Sequence, residues 1–122
     1  MQNLFLITAF GVLGIISRFG IDKSFGSLNQ SFPISTFSIN IIGSFLAGLI
    51  YVLGERQEIS TTLQTALLVG FCGGFTTFSA YSLQSLLLME KGKFIPALVY
   101  FSLSPAVGLL AAFIPVLIVR KM

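Results

Sequence analysis

Gly70-Phe71-Cys72-Gly73-Gly74-Phe75-Thr76-Thr77-Phe78-Ser79-Ala80-Tyr81-Ser82 is the stretch whose reading decides the fold. It lies in the middle of an apolar segment long enough to cross a bilayer. Glycine weakens a helix, and Thr76, Thr77 and Ser79 bring hydroxyls that can satisfy or replace backbone hydrogen bonds. In hydrocarbon every backbone polar group needs a partner, so broken backbone at that depth has to be buried in protein or line a polar cavity. Two readings are open. The segment is either a kinked, tightly packed helix, or a helix interrupted around Gly74, Thr77 and Ser79 whose break holds an ion, as transporters do at the bilayer midplane.

Outward from this stretch the composition is that of a membrane protein. Of 122 residues, 55% are hydrophobic and 9% charged, and the mean hydropathy is +0.96. Histidine is absent and Cys72 is the single thiol, which excludes zinc sites, disulfide frameworks and Cys/His catalysis within one chain. The net charge of +3 is small and scattered, so nucleic acid is not expected as a partner. No basic segment precedes the first apolar run, and a cleaved signal peptide is not expected.

At about 20 apolar residues per crossing, residues 1–122 read as one all-α membrane domain with four spans, near 3–21, 34–53, 62–88 and 94–119. A polar turn from Asp22 to Pro33 closes the first span. Gly54-Glu55-Arg56-Gln57-Glu58 closes the second, and Glu90-Lys91-Gly92-Lys93 separates the last two. Pro105 and Pro115 should bend the fourth span or loosen its end. With four spans both termini share one face, which carries three basic residues, Arg56, Arg120 and Lys121. The opposite face carries four, Arg18, Lys23, Lys91 and Lys93. A difference of one does not choose an orientation. Either other features bias insertion, or copies insert both ways and pair as an antiparallel, dual-topology dimer; the balance favours the second reading.

Residues four apart share a helix face. The second span thereby aligns Thr36, Asn40, Ser44 and Gly48, and the fourth aligns Tyr100, Ser104, Gly108 and Ala112. Helix packing through small residues accounts for Gly48, Gly108 and Ala112. Asn40 is harder to bury, because an amide has two donors to satisfy, and it reads equally as interhelix glue or as part of a polar pathway. Asp22, Glu55, Glu58 and Glu90 all fall at or beyond span ends, so the intramembrane acid that proton-coupled transporters use as a relay is missing. Arg18 either snorkels to headgroups or raises the anion concentration at a pore mouth. What remains inside is a set of donors without acids, namely Asn40, Thr76, Thr77, Ser79, Ser82, Tyr81, Tyr100 and Ser104. Phe75, Phe78 and Tyr81 add aromatic rings with electropositive edges. Such a lining favours a small anion.

Four separated motifs, covering essentially the whole chain, resemble those of the CrcB/Fluc family of fluoride channels. They are Gly11-x-x-Gly14-x-x-x-Arg18-Phe19, Thr36-x-x-x-Asn40-x-x-Gly43, Gly70-x-x-Gly73-Gly74-x-Thr76-Thr77-Phe78-Ser79, and Tyr100 with Ser104. The resemblance implies an antiparallel homodimer with two fluoride pores and a structural sodium ion on the two-fold axis, held by the carbonyls of Gly73 and Thr76. It implies a fluoride path past Asn40, Phe78, Tyr81, Ser82, Tyr100 and Ser104, with Arg18 toward the vestibule. The break would comprise Gly74, Thr77 and Ser79. Localisation in the cell inner (plasma) membrane follows from the same resemblance.

Three positions depart from the family pattern: Tyr81 stands where phenylalanine is usual, Gln84 where an acid is common, and Gly108 where some relatives place serine. They leave room for pairing with a second, divergent subunit. The expected function is passive export of fluoride, which lowers its cytoplasmic concentration; selectivity for so strongly hydrated an ion needs donors that replace water. The alternatives are a small dual-topology multidrug-type exporter, which lacks its glutamate here, and a membrane assembly subunit that transports nothing. No enzyme activity is expected, since no intramembrane acid, base or activated nucleophile is present.

Overall fold

A computed structural model describes residues 2–29 and 31–122. Among these described residues four helical segments are long and apolar enough to cross a membrane, which makes this an all-helical, multi-pass membrane protein. The first helix runs Gln2–Phe25 and is followed by a short 3-10 turn, Gly26–Asn29. It therefore continues through Asp22, Lys23 and Ser24, beyond the expected span end near residue 21. The polar residues there end the apolar crossing without ending the helix, and Ser24 Oγ donates back to the Gly20 carbonyl at 2.8 Å. Gly26, with φ of +46°, makes the turn.

The second helix, Ile34–Glu55, starts after buried Pro33. Its entry is capped from outside: Asn29 Oδ1 accepts the Ser35 N–H at 2.9 Å, and Ser35 Oγ donates to Asp22. The fourth helix, Phe94–Lys121, runs unbroken through Pro105 and past Pro115, so neither proline ends it. It pairs closely with the second helix. A Cβ added to Gly48 would run into the Ala112 carbonyl, so at this crossing only glycine fits. At one end of the pair Arg120 holds Glu55 through two hydrogen bonds of 2.9 and 3.0 Å, and Arg56 Nη1 donates to the Val119 carbonyl at 2.8 Å.

The third crossing is made of two pieces. Residues 61–75 form a first half-helix, capped by Ser60 Oγ, which accepts the Leu63 N–H at 3.1 Å. It widens to a π-helical stretch over Ala66–Cys72 and ends with the turn Gly73–Phe75. Phe78–Glu90 forms the second half-helix. The glycines of the first piece serve contact with the first helix. A Cβ on Gly14 would strike the Phe71 carbonyl, and one on Gly74 the Gly11 carbonyl. In lipid, where apolar burial drives no helix association, such backbone-to-backbone approach is what holds two helices together.

The interruption itself falls at Thr76 and Thr77, two residues past the glycine pair. Gly73 is helical, with φ −63° and ψ −37°, and Gly74 lies in the same turn. Thr76 and Thr77 are extended, with φ/ψ of −82°/159° and −149°/117°. Ser79, also expected in the break, is already the second residue of the next half-helix. Glycine permits a break, but here close packing uses it. The β-branched, hydroxyl-bearing threonines make the break.

Candidate functional site

Every backbone group freed at the interruption needs a new partner, and the site grows from how that need is met. Thr77 is the N-cap of the second half-helix, and its Oγ1 accepts the Ala80 N–H at 3.2 Å. In its extended conformation Thr77 turns its own N–H and C=O to the same neighbour, as a strand does. That neighbour is Asn40. Its Oδ1 accepts the Thr77 N–H at 2.9 Å, and its Nδ2 donates to the Thr77 carbonyl at 3.2 Å. Asn40 is thus glue between the second helix and the break. One Nδ2 proton remains beyond this pair of bonds.

These bonds leave two carbonyls without their helical donors. In a continuous helix the Thr77 N–H would go to Gly73 and the Ala80 N–H to Thr76. Both donors are taken by side chains instead, by Asn40 and Thr77 respectively. Arg18 meets a third carbonyl of the same helix end, its Nε donating to Gly74 O at 3.1 Å. A cation suits this place, because the C-terminal end of a half-helix carries the negative pole of its dipole. Arg18 is therefore turned onto the end of the first half-helix, and neither of its sequence readings, headgroup or pore mouth, foresaw that contact.

Beside the break lies an open cleft of about 300 Å³ between the second helix, the second half-helix and the fourth helix. Asn40, Thr76, Thr77, Phe78, Tyr81 and Ser104 border it, as do Ser44, Gly108, Pro105 and Leu109. Ser104 Oγ is buried and has no hydrogen-bond partner, the one such side-chain atom among the described residues. An orphan hydroxyl of this kind is a donor held ready for whatever enters. Ser44, in contrast, spends its proton on the Asn40 carbonyl at 2.7 Å. Among the described residues no carboxylate or amine lines the cleft. What it offers is neutral donors and aromatic rings, suited to holding a small anion stripped of water and unsuited to proton transfer.

Four of the expected path residues, Asn40, Phe78, Tyr81 and Ser104, come together at this cleft. Ser82 and Tyr100 do not border it. Ser82 is exposed on the surface of the single chain, and Phe78 is 79% exposed while also touching the cleft. Tyr100 is fully buried in a relay: its hydroxyl donates to Gln84 Oε1 at 2.8 Å, and Gln84 Nε2 donates to Thr36 Oγ1 at 2.9 Å. Gln84 can serve both neighbours because an amide both accepts and donates. Ser44 and Gly108 belong to the four-residue stripes seen in the sequence, but of those stripes the expected path includes only Asn40, Tyr100 and Ser104. Nothing in the sequence marks Pro105 and Leu109 as lining.

The profile of the family described as "CrcB-like protein, Camphor Resistance (CrcB)" matches residues 5–116. A protein of Bacillus cereus named "Fluoride-specific ion channel FluC 2" is 42% identical over 115 residues, covering 93% of this chain and 94% of that one. "Fluoride-specific ion channel FluC" of Shewanella loihica is 39% identical over 108 residues, 85% of each chain. Its namesake from Parabacteroides distasonis is 35% identical over 119 residues, 97% of this chain and 93% of the relative. These matches run through all four crossings, the interruption at Thr76–Thr77 and the cleft beside it, and the chain belongs to the CrcB family.

Proposed function

We propose that this multi-pass protein of the plasma membrane is a fluoride-selective channel that lets fluoride leave the cell passively. The observation that carries the reading is the cleft, with the unpartnered Ser104 hydroxyl, the free Asn40 amide proton and the Phe78 ring at one place and no acid among its lining. Fluoride is small and strongly hydrated, so conduction needs donors that replace its water, as filters do for other ions. The relatives' names point the same way. A drug exporter driven by protons would need an acid inside the spans, and a catalyst would need an acid, base or nucleophile at the cleft.

The path is completed by a second copy in antiparallel orientation. Two kinds of observation support this. Basic residues divide almost evenly across the two faces. Phe78 and Ser82, both on the half-helix that follows the break, are exposed in a single chain. The interruption then sits mid-membrane, where its freed carbonyls need a partner. Gly73 and Thr76, which lose their helical donors, fit a structural sodium ion between the two copies, since a hard cation takes oxygen ligands and carbonyl oxygens are among them. The ion's chemistry is a fixed positive charge that draws anions toward the flanking paths. The chain's own residues do the rest. Asn40 holds the break in register, Arg18 neutralises the half-helix end, and Ser104 and Asn40 donate hydrogen bonds to the passing ion.

The deciding experiment is efflux from reconstituted liposomes, followed with fluoride- and chloride-selective electrodes. Fast fluoride release with little chloride release, unaffected by a proton gradient, is the expected result. Equal release of both ions refutes selectivity, and uphill fluoride movement on a proton gradient refutes passivity.

A further inference from the structure

We propose that the Tyr81 hydroxyl replaces the helical hydrogen bond that Pro105 removes, and that it thereby positions the second half-helix and Phe78 on the cleft wall. Proline has no N–H, so Pro105 cannot serve the carbonyl four residues before it, which belongs to Phe101. That carbonyl accepts the Tyr81 hydroxyl instead, at 2.6 Å. The match is one to one: one donor lost from the fourth helix, one gained from the half-helix beside it.

Surrounding contacts make this a fixed joint. Tyr81 is 9% exposed. Its ring stacks on Phe101, with centroids 5.9 Å apart and planes 15° from parallel, and packs on Tyr100 at 5.3 Å and Phe78 at 5.7 Å. Phe78, the first residue of the half-helix, is thus backed by a ring whose far end is bonded to another helix. A half-helix that starts at an interruption has no preceding turn to orient it. Asn40 ties its cap to the second helix, and Tyr81 ties its first turn to the fourth. Because the hydroxyl proton is committed to Phe101, Tyr81 offers the cleft its ring and withholds its O–H from a passing ion. The Tyr81 hydroxyl is then coupled to Pro105, and Tyr81 is a positioning residue.

The inference uses the fluoride reading only for one of its two readouts. Wild type, Tyr81→Phe, Pro105→Ala and the double variant are reconstituted for fluoride efflux and melted in detergent. Tyr81→Phe leaves a part-buried carbonyl unpaired, a loss of order tenfold in the positioned state, or about 1.4 kcal/mol. Flux is expected to fall about tenfold with it. Pro105→Ala returns an N–H to Phe101, so it rescues Tyr81→Phe to within about threefold of Pro105→Ala alone. An equal loss from Tyr81→Phe in both backgrounds overturns the proposal, because the hydroxyl then acts on the ion and not through Phe101. So does a Tyr81→Phe protein that conducts and melts like wild type. Should Pro105→Ala fail to fold, infrared spectra of Tyr81→Phe labelled with carbon-13 at phenylalanine carbonyls decide. One labelled band moves to higher frequency if Phe101 has lost its donor, and an unmoved spectrum overturns the proposal. If wild type passes no fluoride, the channel reading fails by itself. The melting cycle then still decides: non-additive losses support the joint and additive losses refute it.

Discussion

Replacing Asn40 by aspartate alters a single group at the point where break, cleft and second helix meet. One carboxylate oxygen can still accept the Thr77 N–H, as Oδ1 does at 2.9 Å. The other takes the place of Nδ2, which donates to the Thr77 carbonyl at 3.2 Å, and now faces that carbonyl with no proton between them. Two costs follow, and they fall on different measurements. Orphaning the Thr77 carbonyl costs about 1–3 kcal/mol of stability. A fixed negative charge roughly 5 Å from a passing anion, at an effective dielectric of about 20, raises its barrier by about 3 kcal/mol. At about 1.36 kcal/mol per decade, the second term slows fluoride about a hundredfold. The first lowers the melting temperature in detergent without touching conduction directly.

The assay is electrode-monitored fluoride efflux from liposomes, with folded variant selected by its elution profile. Acidification provides an internal check. Once protonated, the substituted carboxyl is neutral and again carries a donor for the Thr77 carbonyl, so flux through the variant should rise as pH falls. Wild type, with no acid at the cleft, should hold steady once leakage of neutral HF through protein-free liposomes is subtracted. A folded Asn40→Asp protein that conducts within about twofold of wild type at neutral pH would refute the placement of Asn40 on the path, leaving only its structural bond to Thr77.

Thr76 separates backbone from side chain at the same break. Thr76→Val removes the bond from Oγ1 to the Cys72 carbonyl at 2.8 Å, but that carbonyl keeps the Thr76 N–H at 2.9 Å, so the cost should stay under about 1 kcal/mol. Thr76→Pro removes the N–H and crowds Cys72, costing about 3 kcal/mol or more; equal melting temperatures and flux for the two variants would show that the local backbone is not what matters. Dual topology is checked by single-cysteine labelling from outside the cell in a Cys72→Ala background, with probes in the Glu90–Lys93 loop and at the C-terminus. Partial labelling at both sites is expected, and labelling confined to one face rules out antiparallel pairing.

The four crossings were legible because hydropathy and helix length are properties of consecutive residues. So was the existence of trouble at 70–82, since glycines and paired hydroxyls inside an apolar run conflict with a plain helix. The location of the break was not. Glycine marks both flexible backbone and close approach, and the choice depends on Gly74 meeting Gly11, sixty-three residues earlier, a register that appears only once the helices dock. Arg18 was ambiguous for the same reason, its partner being a backbone carbonyl at position 74 that no side-chain pattern reveals. Asn40 shows how the two kinds of information combine. The sequence says that a buried amide needs partners, and the fold supplies them as the N–H and C=O of one extended residue. An ionised aspartate could only accept there, lysine could only donate, and a serine hydroxyl is a single atom unable to span both groups. An in-plane donor and acceptor on one short side chain answer a strand-like residue as a neighbouring strand would. Position 40 therefore selects asparagine through the break it closes, and one amide proton is left over, the donor that the proposed channel assigns to its ion.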